Sequence, residues 1–195
     1  MDRIEEAVRI LRHDGLVIYP TDTIYGLGAD AFSDEAILNV YEAKRRPISE
    51  PISVAVCDVE MAYGIARIDA TASSFMERFF PGPVTMVLPA RNCLPEILSG
   101  GTGLIGIRFP AHPLALQLIE ALDSPITATS ANLHGARDPA SPDECHVRHD
   151  LLLDGGRLPG TASTVVDLVH GTILRPGTLI EEVGAFLREH GRENL

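Results

Sequence analysis

Apolar residues recur at Ile4, Ala7, Val8 and Leu11, one face of a helix spanning 3–13 that Asp14-Gly15 ends. The unbroken run Leu16-Val17-Ile18-Tyr19 predicts a buried strand. It opens into PTDTIYGLGAD (20–30), where hydroxyls and glycines replace ordinary solvent-facing charge, and 20–32 is expected to be a loop. Ser33 caps a helix to about Arg46 with Ile37, Leu38, Val40 and Tyr41 as its apolar face, and Pro47 stops it. Strands are predicted at 52–56, 84–88, 104–109 and 125–129. Helices are predicted from Asp58, over 70–80, over 112–122 and over 178–190. Ser141-Pro142-Asp143-Glu144 carries a helix-start signature, and residues 163–169 and 172–174 read as a hairpin around His170-Gly171. Strands and helices interleave without repeat or linker. A single α/β domain over 1–195 follows, with a mixed sheet.

Composition narrows this picture. The chain has 195 residues, 45% hydrophobic and 22% charged, values normal for a globular protein with one core. No apolar run approaches the ~18 residues that span a bilayer, so no membrane partner is expected. The charged, helix-patterned start MDRIEEAVRI is not a secretory signal, and a cytoplasmic location is the default expectation. Cys57, Cys93 and Cys145 form no CxxC pair, which argues against a disulfide framework or a zinc site, and His146 and His149 read as a surface pair. Net charge is −11, which opposes non-specific nucleic-acid binding and makes the placement of the few cations informative.

Small hydroxyl residues and arginines gather where the predicted strands end: Thr21 and Thr23, Arg108, then Thr129, Ser130 and Asn132. Turn and cap chemistry explains any one of them. As a set they point to a ligand site, because loops converge at strand ends in α/β sheets. Ala43-Lys44-Arg45-Arg46-Pro47 places cations at a helix C-terminus, which suits the macrodipole without any ligand. Lys44 and Arg46 lie two apart, so both reach one polyanion only if the helix unwinds at Pro47. Arg175 sits at a strand end before Pro176-Gly177, and Thr161 and Ser163 precede a strand that ends in Asp167. There is no GxSxG elbow and no GxxxxGK[ST] loop, and Gly26-Leu27-Gly28 lacks the third glycine of a dinucleotide turn.

In order, the motifs TDTIYGLG, AKRRP, GPVTMVLPA, GIRFPAHP, TSAN, STVVD and ILRPG resemble the YrdC-like family of threonylcarbamoyl-AMP synthases, from about Gly15 to Gly177 and in its short form. The resemblance implies a twisted mixed sheet with flanking helices and a large, positively lined cavity. It implies that L-threonine, bicarbonate and ATP, with Mg²⁺ on the phosphates, give threonylcarbamoyl-adenylate and pyrophosphate. A downstream threonylcarbamoyl-transferase complex would then modify tRNA, and binding of tRNA or double-stranded RNA is a further implied property. Carried onto this chain, Thr23, Arg108 and Ser163 would hold threonine. Lys44, Arg46, Ser130, Asn132 and Arg175 would hold ATP, with Lys44 and Arg46 neutralising charge in catalysis. Glu50-Pro51-Ile52 departs from the family's Asn-Pro-Leu, and a carboxylate there repels phosphate unless it holds Mg²⁺. Ala55 replaces a common histidine, and Leu104 a common hydroxyl residue. Two other readings stay open: carbamoyl-adenylate chemistry on the same scaffold, and a non-catalytic RNA-binding protein.

Overall fold

The computed structural model describes residues 2–191. The helices are α1 (Arg3–Leu11), α2 (Asp34–Lys44), α3 (Val59–Ile65), α4 (Ala70–Phe79), α5 (Pro113–Leu122) and α6 (Ile180–Glu189). The first five strands are β1 (Val17–Pro20), β2 (Tyr25–Gly28), β3 (Val54–Ala55), β4 (Val84–Pro89) and β5 (Leu104–Arg108). They are followed by β6 (Ile126–Thr127), β7 (Thr129–Ser130), β8 (Leu151–Leu152), β9 (Thr164–Asp167) and β10 (Thr172–Arg175).

The expected mixed α/β architecture is present, divided into two sheets. One has the order β7-β2-β1-β8 and the other β10-β9-β4-β5-β3-β6. Residues 126–130 join them. Ile126 pairs with Ala55 in the larger sheet, and Ser130 pairs with Gly26 in the smaller. A space therefore opens between the sheets where this segment crosses.

The stretch 20–32, expected to be a loop, contains β2, which pairs antiparallel with β1 from Val17↔Gly28 to Pro20↔Tyr25. The glycines hide this strand from a propensity reading, and packing explains them. A Cβ on Gly26 would lie 2.9 Å from Tyr19 Cζ, and one on Gly28 would lie 3.1 Å from the same ring. The Tyr19 ring covers this backbone, so side chains are excluded from it. Thr21 closes the intervening turn. Its Oγ1 accepts from Thr23 N and Ile24 N and donates to Ile24 O.

Local capping positions the helices as the sequence suggests. Ser33 Oγ accepts from Ala36 N at α2, and Asp58 and Asp69 carboxylates cap α3 and α4. Ser141-Pro142 starts only a 3₁₀ turn over Pro142–Glu144. The Glu144 carboxylate accepts from Ala140 N at 2.7 Å, two residues before the turn, and the Ser141 side chain makes no cap hydrogen bond. The chain then extends into β8, which runs parallel to β1 and was not expected from the sequence. The main core lies between the sheets and α2, α3, α4 and α6. A second cluster packs α1 and α5 on the other side of β1, through Leu11, Val17 and Leu118.

Candidate active site

A cavity of about 410 Å³ occupies the space between the sheets. Tyr19, Thr23 and Gly26 line it from the small sheet side, Thr85, Gly106, Arg108 and Val165 from the large sheet, and Thr129 and Ser130 from the crossing segment. Arg46, Arg108 and Arg175 all line it. In a chain of net charge −11, three guanidinium groups on one hollow form a local cationic site.

Arg108 ends β5 and is 5% exposed. Its Nη2 donates to Asp22 Oδ1 at 2.6 Å, and the same oxygen accepts from Ala111 N. Its Nε is buried and has no hydrogen-bond partner among the described residues. An unpaired buried donor costs about 1–3 kcal/mol, and this one lies within the wall, out of reach of solvent. Asp22 therefore fixes Arg108 while leaving part of its fork unused. Sequence reasoning overlooked Asp22 as a site residue, although it stands in the TDT motif, because its partner lies 86 positions away.

Opposite Arg108 in the antiparallel register stands Thr85 of β4. Thr85 Oγ1 and Ser163 Oγ share a hydrogen bond of 3.0 Å, and Arg175 Nη2 donates to Ser163 Oγ at 2.9 Å. Arg175 also donates to Ser163 O through Nε and Nη2. Burial pulls the Arg175 pKa below its ordinary value, and Asp138 acts against that shift. Thr85, another residue the motif reading did not select, ties β4 to this network. Thr23 is 3% exposed, and its Oγ1 lies 2.9 Å from Thr21 Oγ1.

The structure separates Lys44 from Arg46. Helix α2 ends at Lys44 because Arg45 adopts a left-handed conformation with φ 52°, two residues before Pro47. The turn sends Arg46 to the cavity wall and Lys44 inward. Lys44 is 1% exposed and does not line the cavity. Its ammonium donates to Ser130 O, Asn132 O and Asn132 Oδ1, which uses all three protons. Burial, reinforced by Arg46, lowers its pKa to about 8. Asn132 is also behind the wall, donating through Nδ2 to Ala136 O and Asp138 Oδ1. Ser130 Oγ donates to Asn132 Oδ1, so Lys44 and Asn132 together hold the loop that presents Ser130 to the cavity.

Glu50 is turned toward Arg46 and His134. One carboxylate oxygen lies 3.2 Å from Arg46 Nη2 and the other 3.4 Å from His134 Nε2. A carboxylate so placed is a poor metal ligand. Among the described residues no group of three or more His, Cys, Asp or Glu is arranged to hold a metal ion. Asp167 lines the cavity, yet its carboxylate accepts from Val169 N, His170 N and His170 Nδ1 at the β9–β10 turn.

The Sua5_yciO_yrdC family model, described as telomere recombination, matches residues 9–177. Threonylcarbamoyl-AMP synthase of Pyrococcus abyssi (strain GE5 / Orsay) is 38% identical over 96% of this chain and 59% of its own length. The synthase of Klebsiella pneumoniae subsp. pneumoniae is 31% identical over 90% of this chain and 96% of its own length. The crystal structure of P. abyssi Sua5 complexed with L-threonine shares the fold with a TM-score of 0.90 at 37% identity, over 94% of this chain and 56% of that one. The chain thus spans between 52% and 59% of the length of its Pyrococcus, Bacillus and Schizosaccharomyces relatives. The matched region contains both sheets and the cavity between them, and the chain belongs to the Sua5/YciO/YrdC family.

Proposed function

We propose that this chain, as one domain, joins L-threonine, bicarbonate and ATP to give L-threonylcarbamoyladenylate, pyrophosphate and water. The observation that carries the reading is the convergence of Arg46, Arg108 and Arg175 on one cavity of an acidic family member. A homologous protein was crystallised with L-threonine, on a fold that this chain shares.

Arg108 is the natural receptor for the threonine carboxylate, since it lines the cavity and Asp22 already fixes its guanidinium plane. Thr23 and Ser163 supply hydroxyls beside it. Arg46 and Arg175 take phosphate oxygens, with Ser130 as a neutral partner. Lys44 and Asn132 act through the Ser130 loop and are positioning residues in this proposal. Threonine's amine adds to the one-carbon unit to form a carbamate. A carbamate oxygen attacks the α-phosphorus, and pyrophosphate leaves. Such a step depends on positioning and charge neutralisation, and no protein nucleophile is required. Among the described residues the acidic side chains do not build a Mg²⁺ cage, so in this proposal a Mg²⁺ would be carried by the triphosphate itself.

Transfer of the product to tRNA by a separate threonylcarbamoyl-transferase complex, in the cytoplasm, is the downstream part of the proposal. Among the described residues no helix is long and apolar enough to cross a membrane. Pyrophosphate release tests the reading. It should require threonine and bicarbonate together. Release without threonine, or none with all substrates present, would overturn it.

A further inference from the structure

Of the cavity's three arginines, Arg46 has a counter-ion with somewhere else to go. Arg108 is paired with Asp22, which is itself pinned by Ala111 N. Arg175 is held by the carbonyl and hydroxyl of Ser163. Arg46 donates to the carbonyls of Glu50 and Pro51, and its Nη2 pairs with the Glu50 carboxylate. That carboxylate stands in the turn after α2 and does not line the cavity. Its second oxygen already faces His134, on the loop after β7, whose backbone N donates to Lys44 O. The Glu50 and His134 side chains are 40% and 38% exposed, so either has room to move.

We infer that Glu50 is an exchangeable counter-ion. It holds the Arg46 guanidinium at the cavity wall, gives it up to an entering phosphate, and then rests on His134. This deepens the proposed function and rests on its assignment of phosphate to Arg46. The physical basis is competition. A carboxylate and a phosphate oxygen both seek the planar fork, and the phosphate also repels the carboxylate. The Arg46–Glu50 pair is partly solvated, so displacing it costs little. Glu50 thereby sets the strength of phosphate binding without touching the ligand.

Titration calorimetry with inorganic tripolyphosphate, and separately with ATP, tests this on the full chain. Glu50→Gln should tighten tripolyphosphate binding by about 3- to 10-fold, the scale of a partly exposed ion pair plus relief of repulsion. The same substitution on an Arg46→Gln background should change binding by less than about twofold, because the ion-pair part is gone and only the screened repulsion is left to relieve. A merely structural role for Glu50 would not vanish with Arg46. His134→Ala should weaken binding about twofold, because the displaced carboxylate loses its second partner. Unchanged or weaker binding in Glu50→Gln, or an equal gain on both backgrounds, overturns the inference and leaves the synthase reading intact. Failure of the unaltered protein to bind either ligand overturns both.

Discussion

Arg108 ends β5 at the cavity wall, and the Asp22 carboxylate fixes its guanidinium plane. Arg108→Gln should weaken threonine binding by about 2–4 kcal/mol, roughly 30- to 800-fold, with ATP affinity changed less than about threefold. Separate calorimetric titrations of the two substrates check this, and equal losses for both would place the residue elsewhere in the site. Lys44 makes a prediction of a different kind. Below about pH 8 it is protonated in both the folded and unfolded chain, and the cost of burying its charge is fully present. Between about pH 8 and the ordinary lysine value of 10.5, the unfolded chain keeps the proton and the folded chain has shed it. Its contribution to stability therefore rises with pH across that window. Urea unfolding at pH 7.0 and 9.5 should show the unaltered protein gaining on Lys44→Met as pH rises, and a constant difference would refute the shift. AKRRP announced cations but could not say which faces the cavity. One left-handed residue, Arg45, decides it, and that conformation depends on how the helix end packs.

At the scale of elements, β2 is the lesson. YGLG reads as a turn because glycine is a weak strand former, yet the Tyr19 ring requires bare backbone there. Gly26→Ala should destabilise the fold by about 1–3 kcal/mol through overpacking. It should cost less in a Tyr19→Ala background, where the clash is gone, and equilibrium unfolding of the four chains measures that coupling. Helix starts were legible at Ser33 and Asp58, where the cap is a contact within three residues. Ser141-Pro142 misled because Glu144 found Ala140 N instead, and the chain went on to pair beside β1. A two-residue strand such as β8 has no period to read, and its pairing with Val17 and Ile18 supplies the only signal.

For the whole molecule, an acidic surface surrounds a cationic hollow. Long-range repulsion should slow the approach of ATP at low salt and fade as the Debye length shrinks from about 30 Å at 0.01 M to about 10 Å at 0.1 M. Stopped-flow association should therefore quicken by about twofold over that range. A polyanion-binding surface would show the reverse slope, which also separates the synthase reading from RNA binding. The sequence by itself determined the α/β class, the principal helices and the residue types at the strand exits, because these follow from local period, capping and turn chemistry. Only the tertiary structure decided that there are two sheets, that Asp22 meets Arg108, that Thr85 meets Ser163 and that Lys44 turns behind the wall. Those outcomes depend on which distant segments become neighbours, and a local pattern carries no record of pairing across 86 or 78 positions.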